Sequence, residues 1–158
     1  MNSSVAIGVF GEHPYAEYQG DVTTLEYSPA DKHDLGLLRR LRAQNIPVVG
    51  VLLSGRPLWV NPELNASDSF VAAWLPGAAG GGIADVLFRA ADGTVRYDFR
   101  GRLSFSWPRS PRPPAVGRRP GEPPLFPYGY GLRYRDAGEL AQLPEGGEVA
   151  PPAPAPAR

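Results

Sequence analysis

The residues best equipped for chemistry fall within eleven positions, "GEHPYAEYQGD", Gly11 to Asp21. The stretch carries Glu12, Glu17, Asp21, His13, Tyr15 and Tyr18. Paired carboxyl groups serve acid and base chemistry: one protonates a departing oxygen while the other attacks or activates water. Cleavage of a glycosidic bond is the reaction that needs such a pair. A loop carboxyl beside aromatic rings is partly desolvated, which helps it keep a proton, and Tyr15 and Tyr18 suit stacking on sugar faces. The plainer reading is that the acids cap the loop and the start of the next helix, and composition alone favours it.

Other candidates are weaker. Ser54 stands at a strand end, where hydrolase nucleophiles lie, but "LLSGR" is not G-x-S-x-G. Its base would have to be His33 or His13, and no spacing brings either near; a turn-stabilising serine is the simpler reading, and His33 reads as a surface helix residue. "GAAGGG" before a helix has the look of an anion cradle. It lacks the Lys-Ser/Thr of a P-loop and does not match GxGxxG, so its glycines are expected to permit a tight turn and close packing of the helix on the sheet. No cofactor is expected. With no cysteine and two histidines, no disulfide or metal site is expected. Sixteen basic and sixteen acidic side chains cancel, which gives no electrostatic case for nucleic acid or an acidic membrane surface.

These residues need elements to position them. "VAIGVF" (5–10) is a continuous apolar run, as in a strand buried on both faces of a parallel sheet. "PADKHDLGLLRRLRAQN" reads as a helix: Leu35, Leu38 and Leu41 recur every three residues, Asp31 or Asp34 serves as cap, and Asn45 ends it. "IPVVGVLL" (46–53) is a second buried strand, and "SGRP" a tight turn. "PLWV" is a short extended piece, "NPELNAS" one or two helical turns, and "SFVAAWL" (69–75) a third strand. "GIADVLFRA" is a helix with Ile83, Val86 and Leu87 on one face. "VRYDF" and "RLSFSW" read as edge strands or a hairpin. Trp59, Trp74 and Trp107 lie in apolar runs and are expected in the core.

The order predicts an α/β fold: a layered sandwich with a mostly parallel sheet flanked by helices, a β-rich C-terminal end and a Pro-rich tail. Ligands of such sheets gather at the carboxyl ends of the strands. Three loops belong there: "GEHPYAEYQGD", "SGRP" and "PGAAGGG". The 158 residues suit one domain. Thirteen of the nineteen prolines crowd into "PRSPRPPAVGRRPGEPPLFP" and "PEGGEVAPPAPAPAR", both expected to be extended or disordered. The globular part is therefore nearer 1–110 plus a tethered "FPYGYGLRY". No signal peptide and no membrane span of roughly 18 apolar residues is visible, so the localisation stays open: bacterial cytoplasm or, in a full-length parent, the periplasm or outside.

Several segments match one family together and in order: "GEHPYAEYQGD", "IPVVGVLLSGRPLWVNPELNASDSFVAAWLPG", "GGGIADVLF", "DFRGRLSFSWP" and "FPYGYGLRY". The chain resembles the C-terminal α/β sandwich domain of family 3 glycoside hydrolases, and is most similar to the bacterial β-glucosidase and exo-β-glucanase branch. The resemblance implies a partial domain over residues 1–135, and the proline content implies a disordered tail over 136–158. It implies an N-terminal (β/α)₈ barrel with an aspartate nucleophile, over whose active site the sandwich sends a loop. It implies a general acid/base in that loop, which by position falls on Glu17, with Glu12 as the fallback and His13 and Tyr15 beside the sugar. Two strand–helix units of the family's sandwich and the barrel are missing here. The chain is thus expected to be incomplete for retaining hydrolysis of β-linked glucosides or oligosaccharides, and to need a barrel in trans. Two alternatives stay open: a stand-alone esterase using either the loop with Glu17, His13 and Tyr15 or the Ser54 turn, and a structural module that forms a homo-oligomer through an exposed sheet edge.

Overall fold

A computed structural model describes residues 5–112 and 123–146. Three parallel strands, β1 (Ala6–Gly11), β2 (Val48–Leu53) and β3 (Ser69–Ala72), form one sheet in the order β1-β2-β3. Helix α1 (His33–Ala43) joins β1 to β2, the short α2 (Asn61–Asn65) joins β2 to β3, and α3 (Gly81–Leu87) follows β3. The fold is α/β. The register pairs Ala6 with Val48, Gly11 with Leu53, and Leu52 with Ala72. The exits of β1, β2 and β3 therefore lie side by side.

Strand parity decides what is buried. Phe10, Val48 and Leu52 share one face with the half-buried Ala6, Phe70 and Ala72, and α1 lays Leu35 and Leu38 upon it. The helix comes close: a Cβ on Gly8 would stand 2.8 Å from Leu38 Cδ2. Phe10 packs against Tyr27 and Phe70 at centroid distances of 5.4 and 6.1 Å. The opposite face departs from expectation. Val5, Ile7 and Val9 are exposed, Val9 to 60%, so "VAIGVF" is not a strand buried on both sides. β1 is an edge strand whose outward face no described helix covers, and a continuous apolar run does not report that. The central β2 keeps Val51 wholly buried.

Helix α1 starts one residue after Lys32; Asp31 Oδ1 accepts the His33 N–H at 2.8 Å, while Asp34 instead accepts the Tyr27 hydroxyl at 2.7 Å. Asn45, at φ 58°, turns the chain out of the helix, as its type predicts. Trp59 and Trp107 are buried, and Trp74 packs against the core.

The C-terminal end is not built of regular strands. "RLSFSW" meets "FPYGYGLRY" in a single antiparallel bridge, Trp107 with Phe126, with further bonds between Leu103 and the chain at Gly129 and Tyr130. Prolines 108, 111, 123, 124 and 127 lack the amide proton a longer ladder needs. "VRYDF" forms no ladder either: the Asp98 side chain takes the Tyr134 N–H at 3.0 Å. The start of the expected disordered tail is also placed. Asn65 grips Leu143 through its backbone N–H and carbonyl, both at 2.9 Å, and Asn61 donates to the Pro144 carbonyl at 2.9 Å. The rest of the tail, and the middle of the first proline-rich segment, lie outside the described residues.

Candidate active site

The loop after β1 begins under tight constraint. Gly11 sits against β2 so closely that a Cβ there would meet the Leu53 carbonyl oxygen at 2.1 Å, so only glycine fits. The Tyr27 hydroxyl, held by Asp34, also reaches the Gly11 carbonyl at 3.3 Å and ties the strand exit to the start of α1. Burial and the Asp34 carboxylate together push the Tyr27 phenol well above its usual range, so it stays a donor. The Glu12 N–H still reaches the Leu53 carbonyl at 3.1 Å, and there the ladder ends.

Glu12, Ser54 and Arg56 form one cluster across the exits of β1 and β2. Ser54 Oγ lies 2.5 Å from Glu12 Oε2 and 2.8 Å from the Arg56 carbonyl. Its single proton goes to the charged and nearer acceptor. The Arg56 N–H in turn donates to Ser54 Oγ at 3.2 Å. Arg56 Nε stands 3.2 Å from Glu12 Oε1 and donates to the Tyr15 hydroxyl at 3.0 Å. Its guanidinium lies over the Tyr15 ring, 4.0 Å from the centroid, and Nη1 donates to the Gly20 carbonyl at 2.6 Å. The Arg56 and Glu12 side chains are only 17% and 19% exposed, where a forked cation and its partners hold firm geometry. A Cβ on Gly55 would stand 2.9 Å from the Tyr15 hydroxyl, so the "SG" of the turn makes room for the ring.

Glu17 is the opposite case. It opens a 3-10 turn, Glu17–Gly20, at φ 46°, a left-handed conformation that a glutamate adopts only when its surroundings impose it. Its side chain is exposed and has no hydrogen-bond or ion-pair partner among the described residues. Tyr18 beside it is 85% exposed. His13 is exposed as well. The three strand exits do converge: the Ser54 N–H donates to the carbonyl of Trp74, itself at φ 55°, at 3.2 Å.

Two readings find no support in this geometry. Ser54 is 2% exposed and bonded to Glu12 and Arg56; no histidine partners it, so its hydroxyl is neither reachable nor activated for ester cleavage. The glycines of "PGAAGGG" do not seat α3 on the sheet: a Cβ on Gly77, Gly81 or Gly82 would meet nothing within 4 Å. Arg56, which organises the site, reads in sequence only as part of a turn. Its signal is Ser-Gly-Arg directly after a strand whose parallel neighbour ends in glycine and is followed by Glu12.

A second acid escapes sequence reading. Glu63, in α2, is 1% exposed, and its Oε1 has no hydrogen-bond partner among the described residues. Burial pushes its carboxyl up to about 7, against the pull of Lys32 and Arg39.

Comparison with known proteins places these features in a family. The family model of the glycosyl hydrolase family 3 C-terminal domain matches residues 1–134. The chain is 32% identical to a periplasmic beta-glucosidase of Salmonella typhimurium, covering 84% of this chain and 19% of that protein. It is 34% identical to a lysosomal beta glucosidase of Dictyostelium discoideum, covering 85% and 16% respectively. Among solved structures, the exo-1,3/1,4-beta-glucanase of a Pseudoalteromonas species superposes with a TM-score of 0.86 at 52% identity, over 94% of this chain and 18% of that one. A beta-glucosidase of Listeria innocua gives 0.62 at 26% identity, over 84% and 21%. The chain thus spans about a fifth of the length of these relatives. It belongs to the family of glycosyl hydrolase family 3 C-terminal domains.

Proposed function

We propose that this chain supplies the acid/base arm of a retaining β-glucoside hydrolase, with Glu17 as the acid/base and the nucleophile contributed by a barrel domain. The observation that carries this reading is the contrast within one loop. Glu12 is consumed by Ser54 and Arg56, whereas Glu17 stands exposed and unpartnered among the described residues, on a turn held in a left-handed conformation. A group that must give a proton to a leaving oxygen and later take one from water has to be free to meet both. In this reading Tyr18 and His13, both exposed, meet the sugar, and Tyr15 supports the turn with one ring face under Arg56. β-Linked glucosides are the substrate class, in keeping with relatives described as beta-glucosidases, one of them solved with glucose bound.

Retaining hydrolysis needs two carboxyl groups roughly 5–5.5 Å apart on opposite faces of the bond. The purified chain is therefore expected to turn over no aryl β-glucoside alone, and to do so when mixed with a family 3 barrel domain. Glu17→Gln should lower that restored rate by about 10²–10⁴-fold, and Glu12→Gln by far less. Equal loss in both variants, or turnover by the chain alone, overturns the proposal.

A further inference from the structure

We infer that Arg56 is the positioning residue of Glu17: its guanidinium brackets the turn and sets where the Glu17 carboxyl is presented. This rests on the reading of Glu17 as the acid/base. Among the described residues, the backbone of 13–18 makes no hydrogen bond into the sheet; its bonds, Gln19 N–H to Ala16 and Asp21 N–H to Tyr18 among them, are internal to the turn. The loop is exposed for most of its length, so burial does not hold it either. The ties that remain run through one side chain. Arg56 touches Tyr15, two residues before Glu17, through both the hydroxyl and the ring face. It touches Gly20, three residues after, through the carbonyl. Glu17 lies between these two anchors.

The guanidinium is itself held. Glu12 supplies the counter-charge at 3.2 Å, and Ser54 fixes that carboxylate from the β2 side. Both anchors leave rigid strands at paired register positions, Gly11 and Leu53. A chain of contacts therefore runs from the sheet through Glu12 and Arg56 to both flanks of Glu17. The left-handed backbone at Glu17 is the second sign of this arrangement. Such a conformation is unfavourable for a residue with a Cβ and persists where flanking contacts impose it. Arg56 requires its fork: a lysine can serve one of the Tyr15, Glu12 and Gly20 partners but not the geometry of all three. Without the bracket the turn relaxes, Glu17 samples many positions, and the fraction of molecules with the acid in line with the leaving oxygen falls.

The test uses Arg56→Met, Arg56→Lys and Glu17→Gln in the chain, with two readouts. In the chain alone, amide hydrogen exchange at Gln19 and Asp21 should quicken about tenfold in Arg56→Met and less in Arg56→Lys, while the amides of β2 keep their protection. In the chain mixed with a family 3 barrel domain, kcat/KM is compared for phenyl and 2,4-dinitrophenyl β-glucosides. The first needs a proton on its leaving oxygen and the second does not. Arg56→Met should lose about 10²-fold on the phenyl glucoside and under about threefold on the dinitrophenyl one, a split that general destabilisation does not produce. Arg56→Lys should recover part of the loss. If Glu17→Gln shows the split and Arg56→Met does not, the positioning role is wrong. If Glu17→Gln itself shows no split, the assignment of the acid/base fails first. Unchanged exchange at Gln19 and Asp21 in Arg56→Met overturns the inference without any assay of turnover.

Discussion

Glu12 and Glu63 are both acids that this fold draws out of water, one at the carboxyl end of the sheet and one in α2. Their surroundings treat them in opposite ways. Glu12 meets a guanidinium, a hydroxyl and a strand end within 3.2 Å, and becomes the fixed point of the loop beside it. Glu63 is more deeply buried and meets no donor at Oε1 among the described residues. Desolvation disfavours the charged form and outweighs the bond from its own backbone N–H, and the Glu63 carboxyl rises to about 7. The lesson is that burial alone does not make an acid functional. An acid paired with a guanidinium holds geometry, a buried acid with no cation in contact holds a proton, and the acid proposed for chemistry, Glu17, is neither buried nor paired among the described residues.

The largest expected effect breaks the Glu63 side of this comparison. Its carboxyl titrates near 7 in the folded chain and near 4.5 in the unfolded one. Below 4.5 both states carry the proton and the site is neutral to stability. As pH rises from 4.5 to 7 the unfolded chain ionises first, so stability falls, and above 7 the full loss remains. That loss is about 3 kcal/mol. Glu63→Gln keeps the shape and removes the charge, so it should abolish this slope and stabilise the chain by about 3 kcal/mol near pH 8, with little change near pH 4.5. Urea melts at the two pH values decide it: an unchanged slope in the variant refutes the assignment.

The next effect tests the paired side. Arg56→Met leaves Glu12 withdrawn from water with Ser54 as its remaining side-chain partner, and should cost about 2 kcal/mol. Glu12→Gln in the same chain removes the stranded charge, so the double variant should be more stable than the sum of the singles. Strict additivity would mean that the two side chains do not act as a pair. Ser54→Ala is smaller, about 1.5 kcal/mol, because Arg56 still neutralises Glu12. A Ser54→Ala loss as large as that of Arg56→Met would shift the weight of the cluster from the guanidinium to the hydroxyl.

The two regions were unequally legible in the sequence. The scaffold under the loop is written in local pattern. Leu35 and Leu38 mark the buried face of α1, and "VVGVLL" marks a central strand, since periodicity and apolar runs are properties of neighbouring residues. The loop itself declares its charges and, through the accompanying motifs, its family. Arg56 does not declare itself, because its role depends on Gly11 pairing with Leu53 across two strands 42 residues apart, the separation of Glu12 and Ser54. Glu63 is hidden for the same reason: "NPELNAS" has the composition of a surface turn. The helix that carries it, α2, is tied through Asn61 and Asn65 to a tail segment about half the chain away, at Leu143 to Glu145. The failed edge strands show the converse. "RLSFSW" alternates as a strand should, but the proline-rich partner it meets cannot supply a continuous ladder.

That tail segment supplies the smallest effect. The Asn65 amide donates to the Leu143 carbonyl and to Glu145 Oε1, both at 2.9 Å, and its Oδ1 accepts the Leu143 N–H at 2.9 Å. Arg39 adds an ion pair to Glu145 at 2.5 Å, but both side chains are largely solvated, where such pairs contribute little. Asn65→Ala removes the grip and leaves only Asn61, through the Pro144 carbonyl, and the Arg39 pair. The expected loss is about 1 kcal/mol, since the freed backbone groups of Leu143 return to water. Release of the segment should show as faster proteolysis beyond Leu140. It should also admit water toward α2, lowering the Glu63 carboxyl and flattening the pH slope that Glu63→Gln abolishes. A segment freed to proteolysis with the slope unchanged would mean that α1 and the sheet alone keep Glu63 dry, which would confine the unpaired acid to the core rather than to a seam closed by the tail.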